Sequence, residues 1–146
     1  MTGPRMNVDE LDRFLRCEFA ESFNDAAGYA IEAADGASCR VRQRYRPDML
    51  RPGGTISGPT LMAMADVAMY VVILSAIGPV GLAVTTNLSI NFLRKAPAGH
   101  DVIAEARLLK LGKRLAVGEV ALLSAASPDL VAHVTSTYSI PPQGDS

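Results

Sequence analysis

Tryptophan is absent from the 146-residue chain, and aromatic residues make up only 5% of it. So few rings leave little for bases to stack on. A formal net charge of −1 leaves no surplus of cations to follow a phosphate backbone, so nucleic acid is not an expected partner. Cysteine is scarce too. Cys17 and Cys39 have no metal-ligand spacing, and we expect two reduced, structural thiols in a cytoplasmic protein. The two histidines, His100 and His133, have no companion cysteines or acid cluster, so neither a metal nor another cofactor is expected. The opening MTGPRMNVDELDRF carries acids early and no apolar run, which excludes a secretory signal as the reading of that stretch.

The most informative scarcity is local. Between Arg51 and Arg94 a single residue, Asp66, belongs to the Asp, Glu, Lys, Arg or His set, and it sits inside the apolar stretch Ser57–Ile77. A carboxylate buried there without a neighbouring cation must be hydrogen-bonded, paired from elsewhere, or kept protonated. Each of these makes it the first candidate for chemistry. The stretch does not read as a membrane span. The run Val67–Ile77 has 11 residues, well short of the roughly 18–20 needed, and extension upstream would put Asp66 near mid-bilayer. Its composition fits a core helix enclosed by protein.

What is present organises into one domain. About half the residues are apolar and a fifth charged, as in an ordinary globular protein. Val8–Phe19 has the helical spacing of a short amphipathic cover, with Asn7 as N-cap and Glu10 completing a capping box. Asp35-Gly36 joins two strands, Tyr29–Ala34 and Ser38–Tyr45, as a hairpin. The second strand alternates, with Cys39, Val41, Gln43 and Tyr45 on one face and Arg40, Arg42, Arg44 and Arg46 on the other. With no interleaved aromatics, the arginines read as a solvated outer face paired with neighbouring strands or another subunit, rather than as a phosphate comb.

Pro47–Thr55 reads as a loop, and its Gly53-Gly54 lacks the remainder of a phosphate-binding motif. Ser57 caps the long helix, Pro59 suits its first turn, and Gly78-Pro79 ends it. Ala63, Ala65 and Ala68 would allow a sheet to approach closely, and Met62, Met64 and Met69 serve as core or as the wall of a pocket. Strands follow at Leu82–Leu93, Asp101–Leu111, Arg114–Ser124 and Leu130–Ile140, then a loose tail from Pro141 to Ser146. The fold class is α+β: an antiparallel sheet wrapped around one long central helix, with a short N-terminal helix over residues 1–26.

SGPTLMAMAD, TTNLSINFLRKAPAG, LLKLGKRLAVGEV and LVAHVTSTYSI together resemble the hotdog-fold acyl-CoA thioesterases of the phenylacetate-degradation (PaaI-like) type. The resemblance spans residues 27–140. In that family an HGG motif opens the central helix and the catalytic acid follows nine residues after its His. Here Ser57, Gly58 and Pro59 stand at the HGG positions and Asp66 lies nine residues after Ser57. The resemblance implies hydrolysis of an acyl-CoA substrate, with Asp66 as nucleophile or general base and the Gly58 backbone N–H polarising the thioester carbonyl. Thr85 falls where the family offers a hydroxyl across a dimer interface, with Thr86 the substitute if the strand register differs by one. Arg94, Lys113 and Arg114 fall where the family meets the coenzyme A phosphates. A homodimer, assembled into a dimer of dimers, is implied as well.

Two positions depart from the pattern. Arg51 stands where many relatives carry the Asn or Gln that orients water, and it would bind either the acid or an anionic acyl group. Pro59 has no N–H to offer. The alternatives to hydrolysis are a non-catalytic module that binds acyl-CoA or acyl groups, and a purely structural oligomer.

Overall fold

In the computed structural model, which describes residues 4–80 and 82–142, the chain forms two helices and eight strands. Helix α1 covers Val8–Glu18, and the expected capping box is present: the Glu10 N–H donates to Asn7 Oδ1, and the Asn7 N–H to Glu10 Oε1. Leu11 and Leu15 are fully buried, so the helix packs by one stripe. Strands β1 (Tyr29–Ala34) and β2 (Ser38–Gln43) form the expected hairpin, and β2 alternates strictly in burial. After a 3₁₀ turn at Pro47–Met49 come β3 (Leu50–Arg51) and β4 (Thr55–Ile56), a two-residue pairing inside what reads from sequence as a plain loop.

Helix α2 spans Gly58–Ile77, capped by Ser57 and stopped at Gly78, whose φ of 92° favours glycine. By length and composition alone it could cross a membrane. Here it is instead the core: from Val67 to Ser75 every residue is buried. The strands β5 (Val84–Phe92), β6 (Val102–Leu111), β7 (Leu115–Ser124) and β8 (Leu130–Ser139) complete a six-stranded antiparallel sheet in the order β1-β2-β6-β7-β8-β5. β1 and β5 are therefore its edges. The portion of the expected tail from 143 to 146 lies outside the described residues.

Small residues bring α2 and the sheet together. Ala65 and Ala68 are fully buried, and the Cys39 thiol of β2 donates to the Ala68 carbonyl at 3.3 Å. Ala63, by contrast, is exposed and faces a crevice rather than the sheet. Met64 and Met69 are core, whereas Met62 is 40% exposed. Burial pushes the Cys39 thiol up to about 12, while Cys17 is exposed. A thiol-alkylating reagent should thus modify Cys17 in the native protein and both cysteines after denaturation, which mass spectrometry reads directly. Native labelling of Cys39 would contradict this packing.

The arginines of β2 pair as an outer face should. Arg40 reaches Glu32 and Glu105, and Arg42 reaches Glu32 and Asp101. Arg46 departs from the comb. The strand ends at Gln43 and Pro47 follows, so the Arg46 Nη1 donates to the Ala26 and Ala27 carbonyls and its Nε to Asp48.

Candidate active site

Asp66 lies half-buried midway along α2, and the sheet supplies its partners. Thr85 on β5 donates its hydroxyl to Asp66 Oδ1 at 2.5 Å, and Tyr138 on β8 donates to the same oxygen at 2.8 Å. The Tyr138 hydroxyl also lies 3.1 Å from the Asp66 backbone carbonyl. Both donors thus engage Oδ1, and Oδ2 makes no protein hydrogen bond among the described residues. Burial, and then the Asp66 charge, raises the Tyr138 phenol above its ordinary value, so it stays a donor at neutral pH. Its ring stacks on Tyr70 at 6.2 Å, which fixes where the hydroxyl points.

Simple alternation places Thr85 on the opposite face from Leu88 and Ile90. A bulge removes that conflict. Thr85 pairs with Tyr138 and Asn87 with Thr137, so Thr86 is the extra residue and the facing of β5 inverts across it. Thr85 consequently faces Asp66 of its own chain, not a second copy, while Thr86 donates to the Thr137 carbonyl.

A crevice of about 290 Å³ opens beside Asp66. Thr60 and Ala63 of α2 line it, with Tyr29, Gln43 and Arg46 from the β1–β2 side. Phe19, at the end of α1, lines it as well, so the N-terminal segment is part of the site and not only a cover. Burial is the largest influence on Tyr29 and raises its phenol; the Arg46 charge and a hydrogen bond with the Gln43 side chain oppose that rise, and the Asp66 charge adds to it.

The start of α2 presents different chemistry. The Ser57 hydroxyl accepts the Thr60 N–H at 3.3 Å and exchanges a hydrogen bond with the Thr60 hydroxyl at 2.9 Å, as an N-cap does. Gly58 occupies the first turn, where an N–H has no intrahelical carbonyl upstream. A Cβ there would meet the Phe92 ring at 3.1 Å, so glycine lets β5 pass close to the helix start. Pro59 is exposed beside it. Gly58 and Asp66 are eight residues apart, about 12 Å along the axis. One chain therefore cannot bring both onto a single carbonyl group.

The candidate cations are dispersed. Arg51 is exposed on β3 and takes no part in the Asp66 hydrogen bonds. Arg94 follows β5 near the helix start, with its N–H on the Val131 carbonyl. Lys113 and Arg114 occupy the β6–β7 turn beside Ile77 and Ile140, at the other end of a helix about 30 Å long. Arg94 does not meet the other two within one chain.

Tyr138, Gln43, Tyr29, Arg46 and Phe19 do not stand out as site residues in the sequence. Two signals were available. Tyr138 continues the inward alternation of Val134 and Ser136, and a buried tyrosine needs a partner for its hydroxyl. Gln43 is an amide on the face that β2 turns to the core.

The family model of the thioesterase superfamily matches residues 53–128, just over half of the chain, and includes Asp66, Gly58 and Thr85. The chain belongs to the thioesterase superfamily. A candidate thioesterase from Silicibacter sp. TM1040 is 41% identical, with 95% of this chain and 94% of that one covered and a TM-score of 0.86. PaaI from the phenylacetic acid degradation operon of Escherichia coli shares the fold at 22% identity, with 88% and 94% covered and a TM-score of 0.74. A Streptococcus mutans protein solved with acetyl-CoA shares it at 20% identity, with 79% and 90% covered and a TM-score of 0.72. The protein is thus a hotdog-fold thioester hydrolase, with the antiparallel sheet wrapped around one long helix that the sequence predicts.

Proposed function

We propose that the protein hydrolyses acyl-CoA thioesters, with Asp66 as nucleophile or general base. The observation that carries this reading is the carboxylate itself: two hydroxyls hold Oδ1, Oδ2 has no protein hydrogen bond among the described residues, and Asp66 lines an open crevice. As a base, Oδ2 would take a proton from water while the water oxygen adds to the thioester carbonyl. The C–S bond then breaks, and the proton goes to the leaving CoA sulfur. A thioester is electrophilic enough that a carboxylate and an oriented N–H suffice without a metal or organic cofactor.

The Gly58 N–H is the proposed polarising donor, and its spacing of about 12 Å from Asp66 along the helix supports its coming from a second copy. Edge strand β5, with Val84 and Phe92 more than half exposed, is the surface we propose for that homodimer, with a dimer of dimers above it. In such a dimer Arg51, Ser57 and Pro59 accompany the partner's helix start toward Asp66. Arg94, Lys113 and Arg114 remain the proposed contacts for the nucleotide phosphates, drawn together from both copies. The acetyl-CoA complex of the Streptococcus mutans relative shows that this fold can hold such a ligand. Release of CoA from a panel of acyl-CoA esters tests the reading. Tight binding without turnover would favour a binding module, and a stable monomer in sedimentation would remove the shared site.

Tyr138→Phe keeps the ring stacked on Tyr70 and removes one donor from Asp66. The expected result is a kcat lowered about 10- to 100-fold with KM little changed. Steady-state kinetics on a folded variant check it; an unchanged kcat would mean that Tyr138 does not position the acid.

A further inference from the structure

Among the described residues Arg46 is the one cation that lines the crevice beside Asp66, and hydrolysis gives it no task. Arg51, which the sequence offers for an anionic acyl group, does not line that crevice. A guanidinium carries five N–H donors. In Arg46, Nη1 serves the Ala26 and Ala27 carbonyls at 3.0 and 2.5 Å, and Nε serves Asp48 at 3.0 Å. Nη2 and its two N–H groups have no protein acceptor among the described residues. Asp48 is 73% exposed, so water screens most of what it could do to the Arg46 charge. The anchors on Nη1 and Nε hold the fork in place before any ligand arrives, which leaves little side-chain freedom to lose on binding.

The charge is felt inside the crevice. Within a rise caused first by burial, the Tyr29 phenol on the crevice wall is drawn down by Arg46 and pushed up by Asp66. Phe19, Ala27, Ala63 and Val67 supply apolar wall, suited to a chain of methylenes. A wholly apolar chain end would take water from the free N–H pair and give nothing back, which is costly beside a charge. An ammonium end would be repelled. A carboxylate end can accept from both N–H groups at once, with the charge strengthening each bond. Asp66 opposes an anion in the same crevice, so the chain must be long enough to carry its carboxylate across to Arg46. The volume of about 290 Å³ equals that of roughly ten waters at ~30 Å³ each, room for a short chain only.

We propose that Arg46 is a specificity-determining residue, whose Nη2 binds a carboxylate at the far end of a short straight acyl group, so that the preferred thioesters are those of dicarboxylic acids. The assignment rests on the acyl-CoA reading of Asp66 given above.

The test is a series of straight-chain CoA esters from about three to eight acyl carbons, each compared with its ω-carboxy, methyl-esterified ω-carboxy and ω-amino counterparts. At the length that reaches Arg46, the free carboxylate should raise kcat/KM about 10- to 100-fold over the plain ester. The methyl-esterified and amino ends should gain no more than about threefold, and the shortest diacid, held nearest Asp66, should gain nothing. Arg46→Met should bring the ratio of carboxy ester to plain ester to about one, and Arg46→Lys, which keeps the charge without the fork, should retain part of it. That ratio is read on one enzyme sample, so a change in overall turnover does not move it. The proposal is overturned if no length favours the carboxylate, if the neutral methyl ester gains as much, or if the preference survives in Arg46→Met. The wild-type series decides by itself should the variants fail to fold. If wild type turns over none of the esters, calorimetric binding of the same series replaces kinetics. A carboxylate preference in binding then supports Arg46 and removes the hydrolytic reading, whereas turnover without that preference removes Arg46 and keeps hydrolysis.

Discussion

Asp66→Asn should release CoA from the best acyl-CoA ester roughly 10²- to 10⁴-fold more slowly than wild type, the range that one positioned acid–base group contributes. KM should change little, because the loss falls on a step and not on uniform binding. The substitution is nearly isosteric. The amide oxygen can still accept from Thr85 and Tyr138, which now hold Oδ1 at 2.5 and 2.8 Å, so the fold should persist. What disappears is the basic oxygen that the two hydroxyls leave free. Steady-state kinetics, with a thermal melt to show that the variant is folded, read the result. A folded Asp66→Asn with wild-type turnover would mean that this carboxylate is only a satisfied core group.

The largest expected effect on stability lies on β7. Gly118 faces α2 between the inward-facing Ala116 and Val120, and a Cβ there would stand 2.6 Å from the Met69 sulfur and 2.8 Å from the Arg107 carbonyl oxygen. The thioether can swing aside, but the carbonyl is backbone and belongs to the paired strand β6. Gly118→Ala should therefore cost about 1–3 kcal/mol by overpacking. For a chain of this size that lowers Tm by roughly 3–10 °C. Gly112→Ala is the control: its Cβ would meet only the Leu115 carbonyl at 3.4 Å, and a change within about 0.5 kcal/mol is expected. Equal losses in the two variants would contradict the close helix–sheet approach at Gly118.

Local signals carried most of the fold. Ser57 and Gly78 bound α2 because capping and a positive φ are decided by a few adjacent residues, and Asp35-Gly36 does the same for the first hairpin. The isolation of Asp66 among apolar residues was legible in the same way. Its partners were not. Thr85 reaches it only because Thr86 is bulged out of the β5–β8 ladder, and a bulge is set by register between strands about 50 residues apart. The crevice was hidden for a related reason: Phe19 at the end of α1, Gln43 on β2, Arg46 in the loop after it and Ala63 on α2 come from four separate segments, and no spacing in the sequence announces their meeting. Arg46 shows how a regular pattern ends, since the alternation that puts Arg40 and Arg42 outside stops with the strand at Gln43.

The most direct measurement is a crystal structure with a non-hydrolysable CoA thioester analogue bound. The arrangement described above places the carbonyl carbon within about 3.5 Å of Asp66 Oδ2, or one water away, with its oxygen about 3 Å from an amide of a second copy's α2 start. A ligand whose carbonyl lies elsewhere, with Oδ2 facing only solvent, would contradict it.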